Sequence, residues 1–228
     1  SGLVQPVEAV GRIARAAGVP FLLDACQSAG QVPLDVEAIG CDMLSGTGRK
    51  YLRGPRGTGF LYVRRELIER LDPPFLDLHS AEWTGPGSFA VRKDARRFEN
   101  WECFFAGKIG LGAAIDQYLA LGQEAVGERI AGLAALLRMR LGGITGATVH
   151  DRGLRKCGIV SFTLDRLAAP EIRDRLRAQA INVSVSTASY ARLDLEPRGL
   201  ASVVRASVHA YNTEDEIDRF CAALQALA

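Results

Sequence analysis

Residues 24–50 decide the fold, and they read DACQSAGQVPLDVEAIGCDMLSGTGRK. The apolar run 21–23 precedes them and predicts a short buried strand, which Asp24 closes. Residues 41–45 predict a second strand, and the glycine-rich, basic loop 46–59 that follows carries Lys50. Ligand sites of α/β proteins lie at the carboxyl ends of parallel strands, so we expect a site that contains both side chains.

The pattern around this stretch is that of an α/β domain. A helix over residues 7–17 comes before the first strand, and a helix followed by a buried strand is typical of a β-α-β unit. Residues 60–63 predict a further strand, and the proline- and glycine-containing run 72–87 predicts a loop. Two helices are expected next, over 105–121 and 124–141.

The C-terminal part predicts a different architecture. Strands and helices alternate there without the glycine-rich loops, and the last helix should begin with a capping box formed by Thr213 and Glu216. We therefore predict a large α/β domain over residues 1–121 and a small α+β domain over 122–228. The expected strands are 148–150, 158–164, 181–186 and 203–210, and the expected helix between them is 170–179.

Composition excludes several classes of function. The 228 residues carry a formal net charge of only +2, so we predict neither a nucleic-acid partner nor a membrane partner. No apolar run approaches the roughly 20 residues that a membrane span needs. The five cysteines form no C-x-x-C pair and the three histidines are scattered, which predicts no metal site and favours reduced thiols in a cytoplasmic protein.

Asp24, Lys50 and their neighbours supply the groups that a pyridinium electron sink requires. A carboxylate must face the ring nitrogen, and an amine must reach the aldehyde to form an imine. A hydroxyl and a cation should hold a phosphate, and Thr47 and Arg49 provide them. Taken singly, Asp24 is also a common turn residue and Lys50 a common exposed charge. A nucleotide-phosphate loop is a further alternative, but Tyr51 stands where that motif needs Ser or Thr.

Four motifs in order resemble the class V aminotransferase and cysteine desulfurase family. DACQSAG at 24–30 resembles its D-x-x-Q-S segment, and TGRK at 47–50 resembles its S-G-H-K. GPRGTGFLY at 54–62 resembles G-P-x-G-x-G-x-L-Y. RASVHAYNTEDEID at 205–218 resembles the R-x-S-x-x-x-Y-N-T-x-E-E-I-D that lies near the C-terminus of the family.

The resemblance implies pyridoxal 5'-phosphate (PLP), fold type I, a homodimer and a small amino-acid substrate. By position, Asp24 pairs with the pyridine nitrogen, and Gln27 hydrogen-bonds the ring hydroxyl oxygen. Thr47 and Arg49 take the places of the phosphate-side Ser and His, and Lys50 forms the Schiff base. Arg205 would bind the substrate α-carboxylate as a bidentate donor.

The sequence also departs from the family pattern. Desulfurases need a cysteine between the last two strands, but residues 184–199 contain none, and Tyr190 stands near its place. Persulfide chemistry is therefore disfavoured. The F-E-x-G-T segment becomes FENWE at 98–102, which removes the usual threonine. These departures resemble the isopenicillin-N-epimerase-like or hercynylcysteine-sulfoxide-lyase-like branch, and transamination, C–S elimination and epimerisation all stay open.

The first strand of the expected β-α-β unit has no counterpart before residue 7. We therefore expect an N-terminal part in a longer protein, and we expect residues 1–228 alone to bind PLP weakly or not at all. The alternative to an enzyme is a non-catalytic dimerising fragment or degenerate homologue.

Overall fold

The computed structural model describes residues 1–228, which divide into two compact units. The first comprises Pro6–Gly122, and the second comprises Gln123–Ala228 together with Ser1–Gln5. Their assignment to a large PLP-binding domain and a small C-terminal domain stays a prediction. No helix combines the length and the apolar character needed to cross a membrane.

The Pro6–Gly122 unit is built on a three-stranded sheet of order β1-β2-β3, in which β1 and β2 are parallel and β2 and β3 antiparallel. Helix and strand alternate at its start, and the antiparallel return to β3 follows the glycine-rich loop. The strands are β1 (Leu22–Asp24), β2 (Met43–Thr47) and β3 (Gly59–Val63). The helices of this unit are α1 (Val7–Ala16), α2 (Val36–Ile39), α3 (Arg65–Ile68) and α4 (Phe105–Leu121), with a 3₁₀ turn at Ala95–Phe98.

Strand β1 departs from the prediction of a buried strand. Leu22 is 54% exposed and Asp24 is exposed as well, whereas Leu23 is half-buried. The reason is that side chains alternate between the two faces of a strand, and only Leu23 faces the core around Ile39 and Leu44. The core of the sheet lies instead around Ala25, Ile39 and Leu44.

A β-hairpin occupies part of the run predicted as a loop. Strands β4 (Ala81–Gly85) and β5 (Ser88–Val91) pair antiparallel, with Trp83 opposite Phe89. The prediction of a loop was wrong here because Gly85, Pro86 and Gly87 supply only the turn between the two strands. The flanking residues pair through their backbones, and Trp83 and Phe89 are cross-strand aromatic neighbours of the kind that stabilise hairpins.

The Gln123–Ala228 unit is an antiparallel sheet covered by helices, as the α+β pattern predicts. Strand order is β6-β7-β9-β8, and every neighbouring pair is antiparallel. The strands are β6 (Ala147–Val149), β7 (Ile159–Leu164), β8 (Ser184–Thr187) and β9 (Ser202–Ser207). The helices are α5 (Gln123–Gly142), α6 (Ala169–Arg177), α7 (Arg192–Leu195) and α8 (Glu214–Gln225), with 3₁₀ turns at Ala188–Tyr190 and Glu196–Arg198.

Helix α5 buries one face because its apolar residues recur every three or four positions. Ile130, Leu133, Leu137 and Leu141 are each at most 2% exposed, which is the spacing of an amphipathic helix. At the other end of the unit, Thr213 and Glu216 form the predicted capping box of α8.

Candidate functional site

Asp24 lies at the carboxyl end of β1, opposite Ser45 on the parallel strand β2. The amide of Ala25 donates to the Ser45 carbonyl at 2.8 Å, which extends the pairing one residue beyond β1. The chain then turns helically, since the amides of Ser28 and Ala29 both donate to the Ala25 carbonyl. Asp24 is thereby held at the strand end with an exposed side chain.

The Asp24 carboxylate contacts the backbone of Cys26. The amide of Cys26 donates to Asp24 Oδ1 at 2.9 Å. Hydrogen bonding from the side chain and the amide of Cys26, and then the positive charge of Lys50, lower the pKa of Asp24, while partial burial acts in the opposite direction. Asp24 is therefore an ionised carboxylate at neutral pH.

Lys50 lies in a loop that backbone hydrogen bonds close just beyond β2. The amide of Gly48 donates to the Thr58 carbonyl at 2.9 Å, and the amide of Gly54 donates to the Gly48 carbonyl at 2.7 Å. Within this loop the amide of Arg53 donates to the Lys50 carbonyl at 2.9 Å. These hydrogen bonds fix the backbone around Lys50. Lys50 itself is half-buried, so its side chain keeps access to solvent.

Gly30 joins the segment after Asp24 to the segment after Lys50. A β-carbon on Gly30 would lie 2.5 Å from the carbonyl carbon of Tyr51 and 2.6 Å from the amide nitrogen of Leu52. Gly30 also has a φ of +91°, which favours glycine. Tyr51 and Leu52 are buried, so two loops that are distant in sequence pack backbone against backbone.

As a result, Asp24 and Lys50 lie on segments that pack against each other, and the charge of Lys50 contributes to the lowered pKa of Asp24. The same Lys50 charge, together with that of Arg49, also acts on Cys26. A carboxylate, a thiol and two cations thus gather at the edge formed by β1 and β2. The assignment of Asp24 and Lys50 to one cofactor site stays a prediction.

The other predicted residues of this unit lie on the same two segments. Thr47 is the last residue of β2, and its hydroxyl donates weakly to the Thr58 carbonyl at 3.4 Å. Arg49 is exposed. Gln27 is half-buried in the turn after β1, and its carbonyl accepts a hydrogen bond from the side chain of Gln31.

Arg205 belongs to the other compact unit, where it lies on β9 between Ser161 of β7 and Ser184 of β8. Its Nε is buried and has no hydrogen-bond partner. A buried guanidinium donor without a partner is costly unless a ligand satisfies it. Arg205 Nε is therefore an unsatisfied donor inside its unit.

The segment between β8 and β9 consists of α7 and two 3₁₀ turns, and buried side chains anchor it. Leu195 is 2% exposed, and the Arg198 guanidinium pairs with Asp194 at 2.9 Å and donates to the His150 carbonyl at 2.8 Å. Tyr190 is 89% exposed on the same segment. All five cysteines lie outside it and are free thiols.

Neither Cys26 nor Gly30 was predicted from the sequence as a site residue. Cys26 was visible only as one of five scattered cysteines, although its place between Asp24 and Gln27 was a usable signal. Gly30 carried no signal of its own, because its role depends on contact with Tyr51 and Leu52. No group of three or more His, Cys, Asp or Glu side chains is arranged to hold a metal ion.

Comparison with known proteins identifies the family. The family described as "Aminotransferase class-V" matches residues 1–220. The chain therefore belongs to the class V aminotransferase family, as the four motifs predicted. A probable cysteine desulfurase of Xylella fastidiosa (strain 9a5c) is 34% identical over 226 residues, which cover 98% of this chain and 53% of that protein. The chain spans about half the length of the curated relatives it matches.

Solved structures agree with this family and with the predicted fold. The apo cysteine desulfurase from Thermococcus onnurineus NA1 matches with a TM-score of 0.92 and 28% identity, over 99% of this chain and 56% of that one. A cystine C–S lyase in complex with its reaction product cysteine persulfide matches with a TM-score of 0.86 and 26% identity, over 98% of this chain and 57% of that one. A mutant of the same lyase, at 25% identity, has glycine covalently linked to its PLP cofactor. The α/β, fold-type-I prediction is confirmed.

Proposed function

We propose that this chain is part of a PLP-dependent enzyme that acts on an amino acid, with Lys50 as the residue that holds the cofactor covalently. The observation that carries the proposal is that the ionised Asp24 and the loop with Lys50 follow the carboxyl ends of two neighbouring parallel strands, where the charge of Lys50 lowers the pKa of Asp24. A cofactor with a pyridine ring needs both groups, one at the ring nitrogen and one at the aldehyde.

The donor set at this edge fits PLP. Asp24, ionised at neutral pH, suits a protonated ring nitrogen, because an opposite charge favours the charged form of each partner. Gln27, three residues further along the same turn, would hydrogen-bond the ring hydroxyl oxygen. Thr47 and Arg49 would hold the phosphate, the former through a hydroxyl whose present hydrogen bond is long and the latter through an exposed guanidinium.

When bound, PLP would supply an electron sink for negative charge at the substrate carbon next to the amino group. Lys50 would accept and return the proton at that carbon, since its amine is freed when the substrate amine takes its place. Arg205, on β9 of the other compact unit, stays the residue predicted to bind the substrate α-carboxylate. The closed backbone around Lys50 limits how far the amine can move between these tasks.

Among the reactions of this family, we propose C–S bond cleavage that releases a small-molecule product. The segment 184–199 has no cysteine to carry a persulfide, and the related cystine lyase has cysteine persulfide as its product. Transamination and epimerisation use the same proton transfers at Lys50 and are the other outcomes of a product assay. The isopenicillin-N-epimerase-like or hercynylcysteine-sulfoxide-lyase-like branch, a homodimer and a cytoplasmic location belong to this proposal.

The decisive experiment is borohydride reduction of the complete protein with PLP, followed by peptide mass mapping. We expect a pyridoxyl adduct on Lys50, none in Lys50→Ala, and an unchanged adduct in Lys93→Ala, which removes an exposed lysine of the same unit. An adduct on another lysine would contradict the assignment. A protein that forms dimers but takes no adduct would favour the non-catalytic scaffold.

The reaction class is tested with the same protein and a panel of L-amino acids, cystine and cysteine sulfoxides. Pyruvate formed together with a sulfur product that reacts with cyanide or a thiol reagent supports C–S cleavage. An amino-acid product from an added keto acid supports transamination, and loss of optical rotation without other products supports epimerisation. Asp24→Asn should abolish whichever activity is found, because an amide no longer compensates the charge of the ring nitrogen.

A further inference from the structure

The loop that carries Lys50 is closed at its neck by Thr58, the residue before β3. The Thr58 carbonyl accepts the amide of Gly48 at 2.9 Å and, more weakly, the hydroxyl of Thr47 at 3.4 Å. Thr47 and Gly59 are the last register pair between β2 and β3, so the bond from Gly48 to Thr58 continues the pairing by one residue. The chain therefore enters and leaves the loop at one fixed point.

The Thr58 side chain adds a second closure inside the loop. Its hydroxyl donates to the Pro55 carbonyl at 2.7 Å, which fixes the orientation of the side chain. In that orientation the hydroxyl oxygen occupies the space where a β-carbon on Gly48 would lie. Thr58 is half-buried, so this hydrogen bond is partly shielded from water. One side chain thus holds the turn at Pro55 and packs against the backbone of Gly48.

Gly48 in turn sets the backbone geometry around Lys50. Its carbonyl accepts the amide of Gly54 at 2.7 Å, and the Lys50 carbonyl accepts the amide of Arg53 at 2.9 Å. A β-carbon on Gly48 would also lie 2.8 Å from Cδ1 of Leu111, a buried residue of α4. Gly48 therefore has a fixed place against the core, two residues before Lys50.

We propose that Thr58 is a positioning residue for Lys50. Its carbonyl holds Gly48 and its hydroxyl holds the turn at Pro55, which together fix the point from which the lysine side chain extends. The inference rests on the proposed function, because it concerns Lys50 as the residue that holds the cofactor. An amine with two tasks at one site needs a backbone placed to within about 0.5 Å. A loop free to open would spread the amine over positions from which neither task proceeds.

The first test measures hydrogen exchange by NMR in the complete protein without cofactor. Thr58→Val removes the hydroxyl and keeps the branched shape, so the amides of Gly48 and Gly54 should exchange about three- to tenfold faster, in line with the loss of one hydrogen bond. Thr58→Ser keeps the hydroxyl and should exchange at close to the wild-type rate. Thr84→Val, which removes an exposed hydroxyl bond to Ser88 at 3.0 Å in the same unit, should leave both amides unchanged.

The second test compares the same variants for PLP affinity, by absorbance titration and by borohydride trapping of the Lys50 adduct. Thr58→Val should bind PLP about three- to tenfold more weakly, because the loop is open for a larger fraction of the time. Thr58→Ser should recover most of the affinity, and Thr84→Val should match wild type. Recovery by serine would show that the hydroxyl itself is needed at position 58.

Three outcomes would overturn the inference, and they can be told apart. Exchange rates that Thr58→Val does not change exclude the closure, even where wild-type protein takes the Lys50 adduct. Faster exchange with an unchanged PLP affinity excludes the positioning role, because the closure would then have no effect on Lys50. Absence of the adduct in wild type overturns the proposed function, and with it the role towards Lys50, whatever the exchange rates show.

Discussion

Gly30 lies so close to Tyr51 that their backbones leave no room for a side chain between them. A β-carbon on Gly30 would meet the Tyr51 carbonyl carbon at 2.5 Å and its carbonyl oxygen at 2.8 Å. Both neighbours are backbone atoms, which cannot move aside as a flexible side chain would. This contact fixes the distance between the segment that begins at Asp24 and the loop that carries Lys50.

Gly30→Ala should therefore destabilise the protein more than a positive φ alone explains. Gly57 is the matched control, because it has a φ of +79° and open space around it. Gly57→Ala should cost about 1–2 kcal/mol from the left-handed backbone alone, and Gly30→Ala roughly 1–3 kcal/mol more from overpacking. Urea unfolding measures both values. Equal losses would show that the Gly30–Tyr51 contact is not tight.

Asp77 should make stability depend on acid pH. The amide of Trp101 donates to Oδ2 at 2.7 Å, and the amides of His79 and Ser80 also donate to this carboxylate. These contacts, with that of Trp101 foremost, lower the pKa of Asp77 to about 2. A carboxylate with a lowered pKa stabilises the fold above its ordinary pKa of 3.8, and the effect is lost as the pH falls through about 2.

Asp77→Asn is the variant that tests this dependence. The difference in Tm between wild type and Asp77→Asn should be constant above about pH 4 and should narrow as the pH falls from 3.8 towards 2. Glu82→Gln, an exposed change of charge on β4, should leave Tm close to wild type at neutral pH. A difference that widens in acid would contradict the assignment of the hydrogen bonds.

Asp151 should be among the most sensitive positions of the second unit. Its side chain is fully buried and accepts from Arg138 Nε at 2.8 Å, from the Ser161 hydroxyl at 2.6 Å and from the amide of Gly2 at 2.9 Å. Asp151→Ala leaves the largely buried Arg138 charge unpaired, which costs about 3–5 kcal/mol.

An exposed ion pair of the same unit provides the comparison for Asp151. Asp218 pairs with Arg140 at 3.2 Å, and about half of each side chain is exposed. Asp218→Ala should change the free energy of unfolding by about 0–1 kcal/mol. Chemical denaturation of both variants gives the two values side by side, and similar losses would mean that water already screens the Arg138–Asp151 pair.

Arg198 should protect the segment 188–198 from proteolysis. Its side chain is only 9% exposed and holds both Asp194 and the His150 carbonyl. Loss of hydrogen bonds to a charged group costs about 1.5–3 kcal/mol, so Arg198→Ala should increase cleavage of this segment by limited proteolysis about tenfold or more. Arg192→Ala, which removes an exposed pair with Glu196 at 3.8 Å, should cleave at the wild-type rate.

The two long helices were predicted well. Helix α4 was expected over 105–121 and spans Phe105–Leu121, and α5 agrees within one residue at each end. Both are long runs rich in Ala and Leu, which are strong helix formers. The β4–β5 hairpin was missed, because two short strands around a Gly-Pro-Gly turn have the composition of a loop.

The placement of Asp24 and Lys50 was predictable to the extent that it depends on strand order, because each residue follows one of two adjacent parallel strands. Their roles at a cofactor stay predictions. The Gly30–Tyr51 contact was not predictable, because it depends on which atoms meet after the loops fold. Leu22 was expected to be buried because an apolar run alone does not reveal which face of β1 is covered by the core.

The first five residues give the polypeptide an unusual route. Leu3 pairs with Lys156, the amide of Val4 donates to the Arg155 carbonyl, and the amide of Cys157 donates to the Gly2 carbonyl. The chain thus leaves the second unit near residue 5 and re-enters it near residue 123. A cleavage between α4 and α5 would separate residues 1–5 from the residues 155–157 with which they pair. Residues 123–228 produced separately therefore need this pentapeptide, either fused through a short linker or added as a free peptide.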